Sequence, residues 1–401
     1  MAVARVKPGN YPAILSYGFR PFFLVGAIYA GLAILLWLPV FYGHLETASA
    51  FSPIDWHIHE MLFGFVAAIM TGFLLTAIPN WTGRLPVQGL PLSVLLAIWL
   101  AGRLAVSFSA EIGWLAAAVV DCAFLAAVAV AAAIEIIAGR NWRNLKVLAP
   151  VVVLLAANAL FHAEVHFVGT SDISRRLGIG AVVVLVTLIG GRIIPSFTRN
   201  WLARENPGRL PTPFGPFDAA VIALTAAGLL AWACFPAQAI TAGILVCAGI
   251  LNVARQTRWA GDRTARDPLV LMLHVAYAFV PAGLILAGLA ILLPERIPSA
   301  AAVHAFGVGA FGCMTLAVMT RATLGHTGHE LRAGRGTSLV YGSVVGAALL
   351  RIVAAFVPGE ALLLHASACL WAVAFLGYAA LFGGMLLRPA RRARKPVATP
   401  T

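Results

Sequence analysis

The chain has 401 residues, of which 61% are hydrophobic and only 11% charged, and its mean hydropathy is +0.91. A soluble domain carries about 25% charged residues, so the composition excludes a water-soluble globular protein and specifies an integral membrane one. The formal net charge of +13 does not indicate nucleic acid, because the basic residues are sorted by side of the membrane instead of being gathered into one stripe.

Apolar runs of membrane-spanning length, bounded by Arg, Pro and Gly, predict helices near residues 20–42, 57–79, 90–108, 112–137, 145–168, 176–195, 216–235, 237–253, 268–293, 299–320, 338–357 and 361–387. The expected fold is all-α: a polytopic membrane protein with twelve transmembrane helices in one domain over 20–387, an N-terminus at 1–19 and a basic tail at 388–401. Of the 28 Lys and Arg, 23 fall in the termini and in alternate loops; Arg175, Arg176 and Arg296 lie on the opposite side, and Arg103 and Arg351 lie inside helices. By the positive-inside rule both termini are cytoplasmic. The first 19 residues lack an apolar core, so the first helix is expected to serve as an uncleaved anchor. The tail "RPARRARKP" reads as an orientation signal and a contact for anionic membrane lipid. Cys122, Cys234, Cys247, Cys313 and Cys369 sit in apolar segments without CxxC spacing, as small hydrophobes do.

A faint repeat recurs at the cytoplasmic ends of the second, sixth and tenth helices: "AIPNWT" from Ala77, "IIPSFT" from Ile193 and "VMTRAT" from Val318. It suits three four-helix units around an axis normal to the membrane, although Pro, Asn and Thr are also ordinary helix-exit residues.

Imidazole and charged groups within spans are costly and normally face the bundle interior or a cavity. Their predicted depths give an outer cluster of His57, His59, His162, Glu164, His166, His304, His365, Arg103 and Arg351. A smaller inner set comprises His274, Arg192, Arg199, Arg321, His326 and His329, with "LGHTGHE" read as a loop. Residues two apart on a helix point about 200° apart, whereas those three or four apart share a face. In "WHIHEMLFGF", His57 therefore shares a face with Glu60 and Met61, while His59 looks elsewhere. One imidazole per helix is what a haem held between two helices needs, with the other ring nitrogen fixed by a hydrogen-bond acceptor. His304, at matched depth and followed by the small residues of "AFGVGAFG", is the partner ligand; Arg103 and Arg351 are the propionate partners. The plainer alternative for each histidine is a hydrogen-bonded interfacial residue. His162 and His166, four apart on one face, have a spacing that chelates a metal ion, and imidazole suits copper, zinc and iron alike.

These motifs resemble the NnrS family of haem- and copper-containing membrane proteins associated with bacterial responses to nitric oxide. The resemblance runs through "LSYGFRPFFL" at Leu15, "WHIHEMLFGF" at Trp56, "GFLLTAIPNWTGR" at Gly72, "NWRNLKVL" at Asn141, "GGRIIPSFTRNWL" at Gly190 and "LAVMTRATLGHTG" at Leu316. A more distant similarity is to the catalytic subunit of haem-copper oxidases and nitric oxide reductases, which implies a pseudo-three-fold bundle. In that pattern His57, Met61, Phe63, Thr71, Gly72, Pro79 and Gly83 match the second helix, and His304 matches the second His of the HxH in the tenth. Ala302 stands at the first His of that HxH, the sixth helix has no histidine and no His-His pair opens the seventh, so the ligands of an oxidase-type turnover centre are absent.

The resemblance implies a bacterial inner-membrane haem b protein that processes or protects against nitric oxide, with His57 and His304 as axial ligands and Glu60 orienting an imidazole or relaying a proton. Copper, if held, would use His59, His162 and His166 outside or His274 and His326 inside. The expected partners are membrane lipid, nitric oxide or a related small molecule, and an electron donor of unspecified identity. A competing expectation is a transporter of a metal ion or small molecule, since twelve helices with polar clusters at both faces also fit that class. A non-catalytic scaffold is the third.

Overall fold

The computed structural model describes residues 11–390, so the first ten residues and the basic run of the tail from 391 onward lie outside the described residues. All regular structure among the described residues is helical, and the chain is a multi-pass membrane protein with twelve spans. They are α1 (Phe19–Phe41), α2 (Pro53–Thr82), α3 (Leu90–Ser107), α4 (Trp114–Ala138), α5 (Trp142–Val168), α6 (Asp172–Glu205), α7 (Pro216–Cys234), α8 (Ala239–Thr257), α9 (Pro268–Leu292), α10 (Ser299–His326), α11 (Arg335–Phe356) and α12 (Ala361–Leu387).

Helix ends follow local chemistry. Proline, whose missing N–H costs nothing in a first turn, opens α2, α7 and α9. Ser52 caps α2 by accepting from the Asp55 N–H at 3.1 Å, and Asp267 caps α9 by accepting from the Leu269 N–H at 2.9 Å. Gly83 and Gly169, at φ +71° and +84°, end α2 and α5 in the left-handed conformation that only glycine adopts without cost. Two boundaries lie furthest from the sequence expectation. Helix α6 runs on through Pro195 to Glu205, and α10 continues to His326, so the first half of "LGHTGHE" is helix and not loop. In each case polar residues extend the helix beyond the apolar run that marks the span.

The spans are not equally buried. In α2, α6 and α10 the apolar window is 83%, 67% and 67% buried, while no other span exceeds 50%. These three are four helices apart in sequence and are the ones that carry the faint repeat. They form the centre; α10 touches both α2 and α6, and the remaining helices pack around them in chain order, with α4 on α5, α8 on α9 and α12 returning to α1. The repeat's threonines tie the centre to the ring: Thr198 meets His274 of α9 at 2.8 Å, Thr323 meets the Tyr378 hydroxyl of α12 at 2.8 Å, and Thr320 bonds to Tyr341 of α11. Thr76 accepts from the Phe19 N–H of α1 at 3.1 Å. The ring is closed by Arg20, a buried guanidinium at the start of α1 that donates to the carbonyls of Leu386 and Arg388, at 2.8 and 2.7 Å, at the end of α12. Cations suit helix C-termini because the last carbonyls lack intrahelical partners.

Two of the central helices change pitch. Glu60–Val66 in α2 and Ala305–Gly312 in α10 are π-helical, and each segment begins within three residues of a histidine, His57 or His304. A π turn widens the helix and frees backbone groups, a device concentrated at functional sites. The Gly64 carbonyl in the first segment is taken up by Trp99 Nε1 of α3 at 3.0 Å.

Candidate functional site

Both histidines open onto one cavity of about 720 Å³ in the half of the bundle whose loops are poor in basic residues. Its volume lies in the range of small-molecule and cofactor sites. The wall comes from α1, α2, α6, α7, α9, α10, α11 and α12, and it is mostly apolar, including Met61, Phe65, Trp232, Phe311 and Trp371. The polar exceptions are His57, His304, Ser299, Ser367 and three cations, Arg175, Arg176 and Arg351. A partly open, mostly apolar cavity with two imidazoles and several guanidiniums suits a flat hydrophobic group that bears anionic substituents.

The imidazoles are held but not consumed. Trp37 stacks on His57 with ring centroids 4.4 Å apart. His57 Nδ1 is buried without a hydrogen-bond partner. His304 Nδ1 lies 2.6 Å from the Ala300 carbonyl. Because a carbonyl only accepts, Nδ1 carries the proton and Nε2 keeps its lone pair, which is the tautomer a metal ligand needs. Gly307, one turn after His304, lines the cavity, and a Cβ there would meet nothing within 4 Å, so the wall stays flat. Ala302, the residue at the first position of the HxH pattern, is also in the wall. The residues present therefore fit a haem: one imidazole from each of two helices, a mostly apolar wall, and Arg351 facing the cavity together with Arg175 and Arg176, which also pair with Asp172.

Arg103, expected beside Arg351, lies elsewhere. It is buried in a second polar assembly on the far side of α2, where it donates to Glu60 Oε2 at 2.6 Å and also to Asp121 Oδ1. Tyr29 of α1 donates to the same Glu60 oxygen. Glu60 Oε1 is 3.1 Å from His59 Nδ1, so the carboxylate serves His59 and not His57. Glu60 is drawn to that side by its partners on neighbouring helices, Arg103 of α3 and Tyr29 of α1. Asp121 Oδ2 lies 3.2 Å from both His59 Nε2 and His162 Nε2 and accepts from Asn158 Nδ2 at 2.7 Å. Asn158 Oδ1 lies 2.9 Å from His59 Nε2. Every member from Glu60 to His162 is almost wholly buried, and Gly64 makes room for it: a Cβ there would stand 2.8 Å from both Arg103 NH1 and Glu60 Oε2.

The other histidines have separate surroundings. His166 is exposed and stacks on Trp114 at 4.6 Å, apart from the His162 assembly, while Glu164 accepts from the Ile173 and Ser174 N–H groups and so caps the start of α6. His274 bonds to Thr198 and packs against Gly261, and His326 stacks on Tyr17 at 5.7 Å. His365 stacks on Tyr42 at 5.3 Å. Asp121, Asn158 and Tyr29 are not singled out by the sequence analysis, although Asp121 is a carboxylate well inside an apolar span and meets the same criterion as Arg103.

Comparison with known proteins gives one family: the model described as NnrS protein matches residues 13–390. No curated protein matches the chain.

Proposed function

The chain belongs to the NnrS family, and from that premise we propose that it is a haem b-binding protein of the bacterial cytoplasmic membrane that acts in the response to nitric oxide. The observation that carries this reading is the pairing of His57 and His304 in one apolar cavity, each beside a π-helical segment and each with a ring nitrogen unspent. The positive-inside rule supports an orientation with both termini in the cytoplasm and the cavity toward the outer leaflet. His57 and His304 would hold the iron, and Arg351 with Arg175 and Arg176 would neutralise the propionates. Trp37 supports the His57 ring by stacking on it, and Ala300 keeps His304 in the tautomer with a free Nε2. Met61, Phe311 and Trp371 keep water from the faces. A haem held there would supply one-electron chemistry and a metal centre able to bind nitric oxide. Electrons must come from a donor outside the chain.

The test is optical and EPR spectroscopy of the purified full-length protein in oxidised, reduced and nitric-oxide-treated forms. The wild type should show a low-spin haem that His57→Ala and His304→Ala each abolish or convert to high spin, whereas His59→Ala leaves it low-spin. A wild type purified without haem, or one whose low-spin signal survives both cavity substitutions, overturns the assignment.

A further inference from the structure

We propose that His59, Asp121 and His162 form a second, separate site that binds a single first-row transition-metal ion. The inference rests on the assembly behind α2 and does not depend on haem in the cavity.

Three observations converge. The first is spacing: one ligand atom from each residue lies within 4.8 Å of the others, and Asp121 Oδ2 stands 3.2 Å from His59 Nε2 and from His162 Nε2. Metal bonds of 2.0–2.2 Å at tetrahedral angles put neighbouring donors about 3.4 Å apart, so the two separations from Asp121 Oδ2 on α4 to the imidazoles of α2 and α5 already match the edges of a coordination polyhedron. The second is hydrogen-bond accounting around His59. Its Nδ1 faces Glu60 Oε1 at 3.1 Å, and its Nε2 faces two further oxygens, Asn158 Oδ1 at 2.9 Å and Asp121 Oδ2 at 3.2 Å. Asn158 presents oxygen there because its Nδ2 is already donating to Asp121. A neutral imidazole has one N–H and serves one of these sides only; on the other side a cation has to stand between nitrogen and oxygen. His162, whose Nε2 also points to Asp121 Oδ2, makes a metal ion the better occupant than a proton, since an ion uses all three donors at once.

The third observation is the surrounding support. Ligating histidines usually donate their other N–H to a carboxylate, which fixes ring and tautomer. Glu60 is in that position behind His59 and is itself held by Arg103 and Tyr29; Arg103 also binds Asp121 Oδ1, leaving Oδ2 turned to the histidines. Three protein ligands are one fewer than a closed structural site uses. The remaining position suits a small exogenous ligand, and two imidazoles with one carboxylate suit copper, iron or zinc.

The experiment uses the full-length protein in detergent, stripped with EDTA, and copper(II) chloride as the probe, with bound metal measured after equilibrium dialysis and its ligands by EPR. Wild type, His57→Ala and His166→Ala should each bind one copper per chain with nitrogen couplings from two imidazoles. His162→Ala and Asp121→Asn should weaken binding at least tenfold, and His162→Ala should leave one nitrogen coupling. Glu60→Gln should weaken binding tenfold to a hundredfold while both couplings persist. Folding of each variant is read from its size-exclusion profile and helical circular dichroism, so that a collapsed protein is not scored as a lost site. A folded His162→Ala or Asp121→Asn protein that binds copper like wild type overturns the proposal, as does loss of the ion in His57→Ala.

Discussion

Removal of the Arg103 guanidinium is the most informative perturbation of the buried assembly. Arg103 serves two carboxylates that are essentially without solvent contact, donating to Glu60 Oε2 at 2.6 Å and to Asp121 Oδ1. Breaking one buried pair by deleting a partner costs about 3–5 kcal/mol, mostly because the other charge is left uncompensated. Two stranded carboxylates do not double the figure. Glu60 retains Tyr29 and His59, and Asp121 retains Asn158 at 2.7 Å, so neither is left bare, and groups within one network are not additive. Arg103→Met in the metal-free protein should therefore lose about 3–5 kcal/mol, read from reversible unfolding in mixed micelles of increasing SDS fraction. The same change combined with Glu60→Gln and Asp121→Asn should recover more than half of that loss, because the cost is stranded charge and not missing attraction. A single variant within about 1 kcal/mol of wild type, or a triple variant as unstable as the single, would refute the reasoning.

Arg351→Leu should weaken haem uptake by the stripped protein about tenfold to a hundredfold, the value of a charge-assisted hydrogen bond to a carboxylate, with the low-spin spectrum unchanged at saturation; unchanged affinity would remove Arg351 from the propionate role. Gly64→Ala puts a methyl group 2.8 Å from both Arg103 NH1 and Glu60 Oε2, so it should cost about 1–3 kcal/mol in the same unfolding assay. A neutral outcome there would mean that the assembly can move aside.

The architecture was legible because spans are written in runs of one chemical type. Composition and apolar length recovered all twelve helices, and errors occurred only where polar residues continue a helix past the hydrocarbon, as in α6 after Pro195. The cavity was partly legible: His57 and Met61 share a face by spacing, and both line it together with His304 and Arg351. The ion network was not, because it joins side chains of five helices, α1 to α5, and which groups meet across helices is not written in the spacing along any one of them. Arg103 was misplaced for a related reason. Depth along the membrane is readable from sequence, but the side of α2 on which a residue lies depends on how α3 and α4 pack, and Asp121, the group that pulls Arg103 away from the cavity, belongs to α4.

The Arg20 clasp also sets a constraint on biogenesis. The acceptor carbonyl of Leu386 lies 366 residues downstream of the guanidinium that binds it. At about 5–20 residues per second, a ribosome needs roughly 20–70 s to deliver it. For that interval the first helix sits in the membrane with its arginine at the bilayer edge and its last neighbour unmade. The ring of helices stays open until then, so completion of the cavity wall, to which Leu364 and Trp371 contribute, has to wait for the arrival of the twelfth span.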